Sequence, residues 1–470
     1  MTDRRMLRIA TTGARVLAGV LASAVFVIAV VTAVAIPWPT HAQKPVSVTA
    51  TPAPTDTVLV CGGPLLALGR NAQNAGALSV AAPERLTTAS PAGQPAPRQS
   101  AVEVPDVGNG GAPVLTAPPV GSARSVISGA GSATVQSDDL TGFAASACQE
   151  PRLESWLVGG ASTTGASDLV RLANPGTVPA TVQLTVYGAS GGQVPPGGTL
   201  VVPPGTERVV PLAGLILGEQ APVVHVSASG APVRAALQAS ITRTLVPGGV
   251  DQVSAVPTAE RTQIVPGVTV VAAPAQGSND NPTTVLRLLS ATSTSTATVT
   301  VLSTSGATES RQSVPLQAGV PAEVALSNLA PGRHTVRVDS EARVVAAVWS
   351  TTGFAAGSDF AWYPAAPEVS ASTLVTVPDG PSTVLSIVNP GTKPAVVKLT
   401  PMDGSAPRSL TIPAGQTLDV SVAARSSFTL EPQAGAHVRA AVTLTGSGAL
   451  ADIPVWPGEA AAASIDVYSG

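Results

Sequence analysis

From Glu154 onward the chain states one pattern three times, and this repeat limits what it can fold into. VRLANPG at 170–176 recurs as LRLLSAT at 286–292 and as LSIVNPG at 385–391. An alternation of apolar residues follows each: Val182, Leu184 and Val186, then Val299 and Val301, then Val397 and Leu399. A turn glycine comes next, Gly205, Gly319 and Gly415, leading to Val209-Val210, Val324-Ala325-Leu326 and Leu418-Asp419-Val420. Then come VRAAL (233–237), VVAAV (344–348) and VRAAV (438–442). Each copy closes on an acid and a hydrophobe-Pro pair: Asp251 with Val256-Pro257, Asp359 with Tyr363-Pro364, Asp452 with Trp456-Pro457. From Asn174, Ser290 and Asn389 to the turn glycine the spacings are 31, 29 and 26 residues.

Alternation with period two buries one face of a strand. Some seven short strands in roughly 100 residues, punctuated by Pro and Gly, have the texture of a two-sheet sandwich. The expected fold is therefore mainly β: an N-terminal transmembrane helix followed by three tandem immunoglobulin-like β-sandwich repeats, at 151–261, 262–368 and 369–470. In Asn-Pro-Gly the proline presets φ and the glycine supplies the positive φ of a type II turn. The second copy has Ser290-Ala291-Thr292 there, so its turn is built differently. Trp349, Trp362, Tyr363 and Trp456 are expected to cap cores or seal junctions.

The amino terminus sets location. Arg4, Arg5, Arg8 and Arg15 precede an apolar run at 16–36 whose only polar members are Ser23 and Thr32. Its 21 residues match the bilayer hydrocarbon as a helix. The arginines stay cytoplasmic, which makes 1–15 a basic tail, 16–36 a single-pass span, and the bulk extracytoplasmic. A cleaved signal competes, with Thr40-His41-Ala42 before Gln43 as a poor cleavage site. The run is long for a signal, which favours a retained anchor. Arg4-Arg5 as a twin-arginine signal gains little support from Asp3 and Met6.

Residues 37–56 read as an extended Pro/Thr-rich stalk. Residues 57–150 read as a partly ordered β segment with a loose, Pro/Ala/Gly-rich interior at 70–122. Cys61 and Cys148 are the only cysteines, and outside the membrane two cysteines default to one disulfide. A Cys61 lipid anchor is the alternative, although Cys61 lies far past the apolar run. Charged residues are only 11% of the chain. The first 15 residues carry +3, so the rest carries −6, the total of −3 less that +3. Such a surface argues against nucleic acid as a partner.

Catalytic chemistry is not legible. His41, His225, His334 and His437 lack metal spacing. Gly188-Ala189-Ser190-Gly191-Gly192 matches a nucleophile elbow, but Gln193-Val194-Pro195-Pro196 follows where a helix is needed, so a hairpin turn is expected. Asp138-Asp139 reads as a turn, as does Ser278-Asn279-Asp280-Asn281, whose oxygens could otherwise serve Ca²⁺. No catalytic, cofactor-binding or metal residue is assigned, and no cofactor is expected.

Cys148, Glu150-Pro151, Trp156, Leu157-Val158-Gly159-Gly160 and Leu172-Ala173-Asn174-Pro175-Gly176 resemble an actinobacterial family of membrane-anchored extracytoplasmic proteins of unknown function. The resemblance covers about residues 57–460, departs most in the second copy, and implies a cell-envelope location and a β-rich ectodomain. It brings no activity. The expected function is a non-enzymatic envelope scaffold or interaction module anchored in the membrane. One rival is an accessory subunit of a membrane-bound envelope-assembly enzyme, with Gly19, Ala22 and Ser23 packing against a partner span. The other is a wall-glycan-binding module using Trp362, Tyr363 and Trp456.

Overall fold

The computed structural model describes residues 3–35, 47–50, 53–271, 282–458 and 465–468, apart from 72, 75, 106, 109 and 434. His41, most of the stalk and the Ser278–Asn281 turn lie outside the described residues. The chain divides into two compact units, one made of 1–52 with 463–470 and the other of 53–462.

The smaller unit holds one helix, Asp3–Ala35, of which Ala10–Ala35 is long and apolar enough to cross a membrane. Ser23 and Thr32 donate their hydroxyls back to the Gly19 and Ile28 carbonyls, so neither polar group needs water. Ser47–Ala50 pairs antiparallel with Ile465–Tyr468, which removes the chain's last strand from the third expected repeat.

The larger unit is built from one strand order used repeatedly. In the stretch 154–254 the strands are, in turn, Glu154–Val158, Leu169–Asn174, Ala180–Gly188, a broken fourth (Gly191–Gln193 and Thr199–Val202), Thr206–Pro211, Val223–Ser229, Arg234–Arg243 and Val246–Ser254. One sheet runs first-sixth-third-fourth, and the other fifth-second-seventh-eighth. The stretch 373–454 has the same two sheets. So does 260–364, where the sixth and seventh strands run on as one 20-residue strand, Gly332–Thr351. Inward Val, Leu and Ala residues of each sheet pair meet in one core per stretch.

This order is not the immunoglobulin one. There the first strand lies beside the second and the seventh beside the sixth. Here the first lies beside the sixth and the seventh beside the second. Alternation and turn residues specify which face of a strand is buried, and both orders bury the same faces. The texture of the sequence therefore reaches the sandwich and stops short of the order.

Residues 57–150 correct the expectation of a loose interior. Thr57–Val60, Pro113–Ala117 and Arg98–Ala101 form a sheet in the order first-sixth-third. Arg85–Ala89, Ser128–Gln136 and Thr141–Ala147 form a second in the order second-seventh-eighth. This is a fourth, reduced unit without the fourth and fifth strands and with a hairpin, Leu65–Leu68 with Leu78–Ala82, inserted after the first. Its Pro/Gly-rich part is held by the next unit. The Glu103 N–H donates to the Gly205 carbonyl, the Glu207 N–H donates to the Glu103 carbonyl, and Val102, Val104 and Val107 are buried. Cys61, just past the first strand, is disulfide-bonded to Cys148, just past the eighth.

The eighth strands join the units. Thr141–Ala147 packs on Val246–Ser254 and on Ala449–Pro454, and Phe360–Pro364 packs on the same two. The contacts thus close cyclically through all four units.

Candidate functional site: the axis, the joints and an aromatic cleft

Strand register identifies equivalent residues around the axis. Ala130, Ala236, Ala347 and Ala441 on the seventh strands face Ala147, Ser254, Pro364 and Pro454. Four residues earlier on each eighth strand stand Phe143, Val250, Phe360 and Leu450. Their N–H groups converge on one carboxylate. Phe143 donates to Asp359 Oδ2 at 3.0 Å, Val250 to Oδ1 at 3.1 Å and Leu450 to Oδ2 at 3.2 Å. The adjacent Phe360 N–H also helps hold the charged form. The residues equivalent to Asp359 are Gly142, Gly249 and Ala449, and a Cβ on Gly142 or Gly249 would sit 2.7 or 2.6 Å from Asp359 Oδ1. The axis has room for that one side chain. Burial raises the Asp359 pKa well above the usual range, opposed by the four amides.

The three closing acids are therefore not equivalent. Asp251 and Asp452 lie elsewhere in register, three and two residues before Ser254 and Pro454, whereas Asp359 lies five before Pro364. Both are fully buried. Asp251 accepts from the Trp362 N–H at 2.8 Å, and burial pushes its pKa up to about 7. Asp452 is raised well above the usual range by burial and then by Asp251, and neither of its carboxylate oxygens has a partner among the described residues.

The joints between consecutive units also repeat. A glycine with positive φ follows the first strand: Gly63 at 75° in the first unit and Gly160 at 72° in the second. The next unit's second strand presents an arginine there. Arg171 donates to the Pro64 carbonyl at 2.8 Å and makes a two-pronged pair with Glu207, at 2.6 and 3.1 Å, with both side chains buried. Arg287 donates to the carbonyls of Gly160, Pro222 and Gln220 and pairs with Glu323. At the third joint Ser386 replaces the arginine, and Arg439 spans it instead, reaching the Ala366 carbonyl and Glu260. At the joint that closes the cycle, Arg85 pairs with Asp379 at 3.2 Å near the surface, and Ala130, Phe143 and Ala145 pack into the core of the fourth unit. The Gly159-Gly160 pair thus serves a joint.

Replacing Arg171 by Met leaves Glu207 buried without its partner, and a stability loss of about 3–5 kcal/mol is expected. Replacing Glu207 by Leu as well restores part of it, the rest being lost because the buried Ala112 N–H no longer has its acceptor. Urea unfolding of the two variants checks this; an unchanged midpoint in the single variant contradicts the joint.

The three aromatics considered for glycan stacking are placed as follows. Tyr363 is fully buried in the core of the third unit. Trp362 is 5% exposed, its ring held between Gly159 and the Arg287 guanidinium, 4.6 Å from the ring centre. Both have their faces covered by protein, so neither can stack on a sugar; a strand flanked on both sides by other units hides its large side chains. Trp456 is half-buried under Arg152, at 5.0 Å, beside a cavity of about 110 Å³ that Cys148 also lines. His225, His334 and His437 each pair with a glutamate, Glu154, Glu309 and Glu368. Among the described residues no His/Cys/Asp/Glu group could hold a metal ion. Gly188–Gly192 is the turn of a hairpin, and Asp139 in the turn after Gln136 pairs with Arg70.

One cleft was not legible from the sequence. Between the second and third units a space of about 280 Å³ is lined by Asp168, Arg287 and Glu323 and by Trp349, Phe354, Phe360 and Trp362. Asp168 accepts from the Ala161 and Ser240 N–H groups, and burial pushes its pKa up to about 7. Asp168 comes from the second unit, more than 100 residues before Arg287, and the other named residues come from several strands of the third unit, so only the packed units bring them together.

A family of unknown function (DUF5719) matches residues 104–423, from the first unit into the fourth. The chain belongs to that family. None of the curated proteins matches it.

Proposed function

We propose that the chain is a non-enzymatic, single-pass membrane protein of the cell envelope that displays a ring of β-sandwich units outside the cytoplasmic membrane, as a scaffold or interaction module. The observation that carries this reading is the pairing of an apolar helix, preceded by arginines, with a larger unit whose buried acids and arginines bind its own backbone at the axis and joints. Groups held that way position strands and are not free to move protons. The repeated units read as copies of one ancestral sandwich, which supplies several similar joints at which partners can differ.

Labelling of intact cells tests the location. Leu245 is 92% exposed on a hairpin tip of the second unit, so Leu245→Cys offers a thiol away from the disulfide. The expected result is reaction with a membrane-impermeant maleimide in intact cells, with the protein in the membrane fraction. Labelling only after lysis, or recovery as soluble protein, contradicts the proposal. Capture of one stoichiometric membrane enzyme after mild crosslinking in native membranes would replace the scaffold by the accessory-subunit reading.

A further inference from the structure

We propose that the cleft between the second and third units binds a neutral carbohydrate, with one pyranose ring seated against Trp349 and Phe354. The chain has five Trp, three Tyr and five Phe, and four of these thirteen line this one cleft. Cores elsewhere are filled mainly with Val, Leu, Ile and Ala, and the aromatics among them, Phe143, Tyr363 and Phe428, stand singly rather than together. Phe360 and Trp362 are buried walls, whereas Trp349 is half-buried and Phe354 is 40% exposed. Accessible aromatic surface within a concave site is what a ligand with an apolar face uses.

Charge decides the ligand class. The two cation-binding ring faces are already filled by the protein: Arg287 lies over Trp362, and Arg243 lies over Phe354 at 5.2 Å. An ammonium ligand on the remaining aromatic surface, Trp349 and the exposed part of Phe354, meets repulsion from the two guanidiniums that a neutral ring does not meet. An anion meets Glu323 and Asp168. Arg287 has its donors committed to three carbonyls and to Glu323 Oε1, so it offers an anion nothing. The second Glu323 oxygen has no hydrogen bond among the described residues, and Gln220 lines the cleft with an exposed side chain. A carboxylate oxygen and an amide beside aromatic faces fit hydroxyl groups on the rim of a ring whose C–H face is apolar. A space of about 280 Å³ suits one such ring.

The test uses the full-length protein in a polyoxyethylene detergent, which has no sugar headgroup. Cellobiose, trehalose, galactobiose and N,N′-diacetylchitobiose are titrated by calorimetry and tryptophan fluorescence, with choline and acetate as charged controls. The expected result is saturable binding of at least one disaccharide, weakened about fivefold or more by Phe354→Ala and weakened also by Gln220→Ala. Gln220 is exposed, so its variant keeps the wild-type thermal midpoint and separates lost binding from lost folding. The proposal is overturned if no disaccharide binds, if choline or acetate binds instead, or if both variants keep wild-type affinity. Because binding is read on purified protein, failure here leaves the proposed membrane location standing, and the reverse also holds.

Discussion

Asp359→Ala is expected to unlock the ring. The substitution removes the single acceptor shared by the N–H groups of Phe143, Val250 and Leu450, one from each of the other units, and the carboxylate that the adjacent Phe360 N–H helps hold. A buried donor left without an acceptor costs about 1–3 kcal/mol. Removing the buried carboxylate relieves its own desolvation and offsets part of that sum, leaving a net loss of about 5 kcal/mol. Whole-protein stabilities are about 5–15 kcal/mol, so the variant should unfold at much lower urea and lose protease resistance. Asp359→Asn should fall between the two, because the amide oxygen accepts while the NH2 group faces other donors. Urea unfolding followed by tryptophan fluorescence is the measurement. A wild-type midpoint for the alanine variant would mean that the axial amides find other partners.

Stability should fall as pH rises from about 4 to about 8. Asp251 has its pKa raised from 3.8 to about 7 by burial, and Asp452 is raised further by burial and by Asp251. The folded state holds these protons more tightly than the unfolded chain. Their stabilisation is complete below the unfolded pKa and is lost as pH passes through the folded values. For Asp251 alone the difference corresponds to on the order of 4 kcal/mol between pH 4 and pH 8. Asp139 works the other way, since its pairing with Arg70 lowers its pKa to about 2, and its contribution disappears only at more acidic pH. Asp251→Asn with Asp452→Asn should reduce the slope, leaving the part contributed by the likewise raised Asp168 and Asp359, and make the double variant the more stable protein at pH 8. Thermal midpoints across the pH range check this. An equal slope in wild type and variant would show that these two acids are ionised in the folded protein throughout.

The strand texture of the three longer units is legible because Val182-Leu184-Val186 and its counterparts alternate cleanly and turn glycines separate them. Strand order is not legible, since pairing the first strand with the sixth or with the second buries the same residues. The first unit escapes notice because it lacks an Asn-Pro-Gly run and two of the eight strands. Two signals pointed to it: Cys61-Gly62-Gly63 matches Val158-Gly159-Gly160, and Ala130 stands where the Ala-Ala landmarks stand in the other units. The acids before the closing prolines drew attention for the right region and in the wrong register. The sequence distance from acid to proline is nearly constant, whereas strand pairing puts only Asp359 on the axis. The burial of Trp362 and Tyr363 agrees with the expectation that they cap cores or seal junctions, while the rival reading as exposed platforms arises because a Trp-Tyr-Pro string carries no record of which neighbour covers it. Trp349 and Phe354, half-buried and exposed, are the aromatic surfaces a ligand can reach in the cleft.

Native-state hydrogen exchange at the four axial amides shows whether four units close around one carboxylate. Phe143, Val250, Phe360 and Leu450 are expected to exchange together, with protection close to that of global unfolding, and Asp359→Asn is expected to lower all four at once. Fast exchange at Phe143 with the other three protected would contradict this closure, because the first unit would then stand outside the ring.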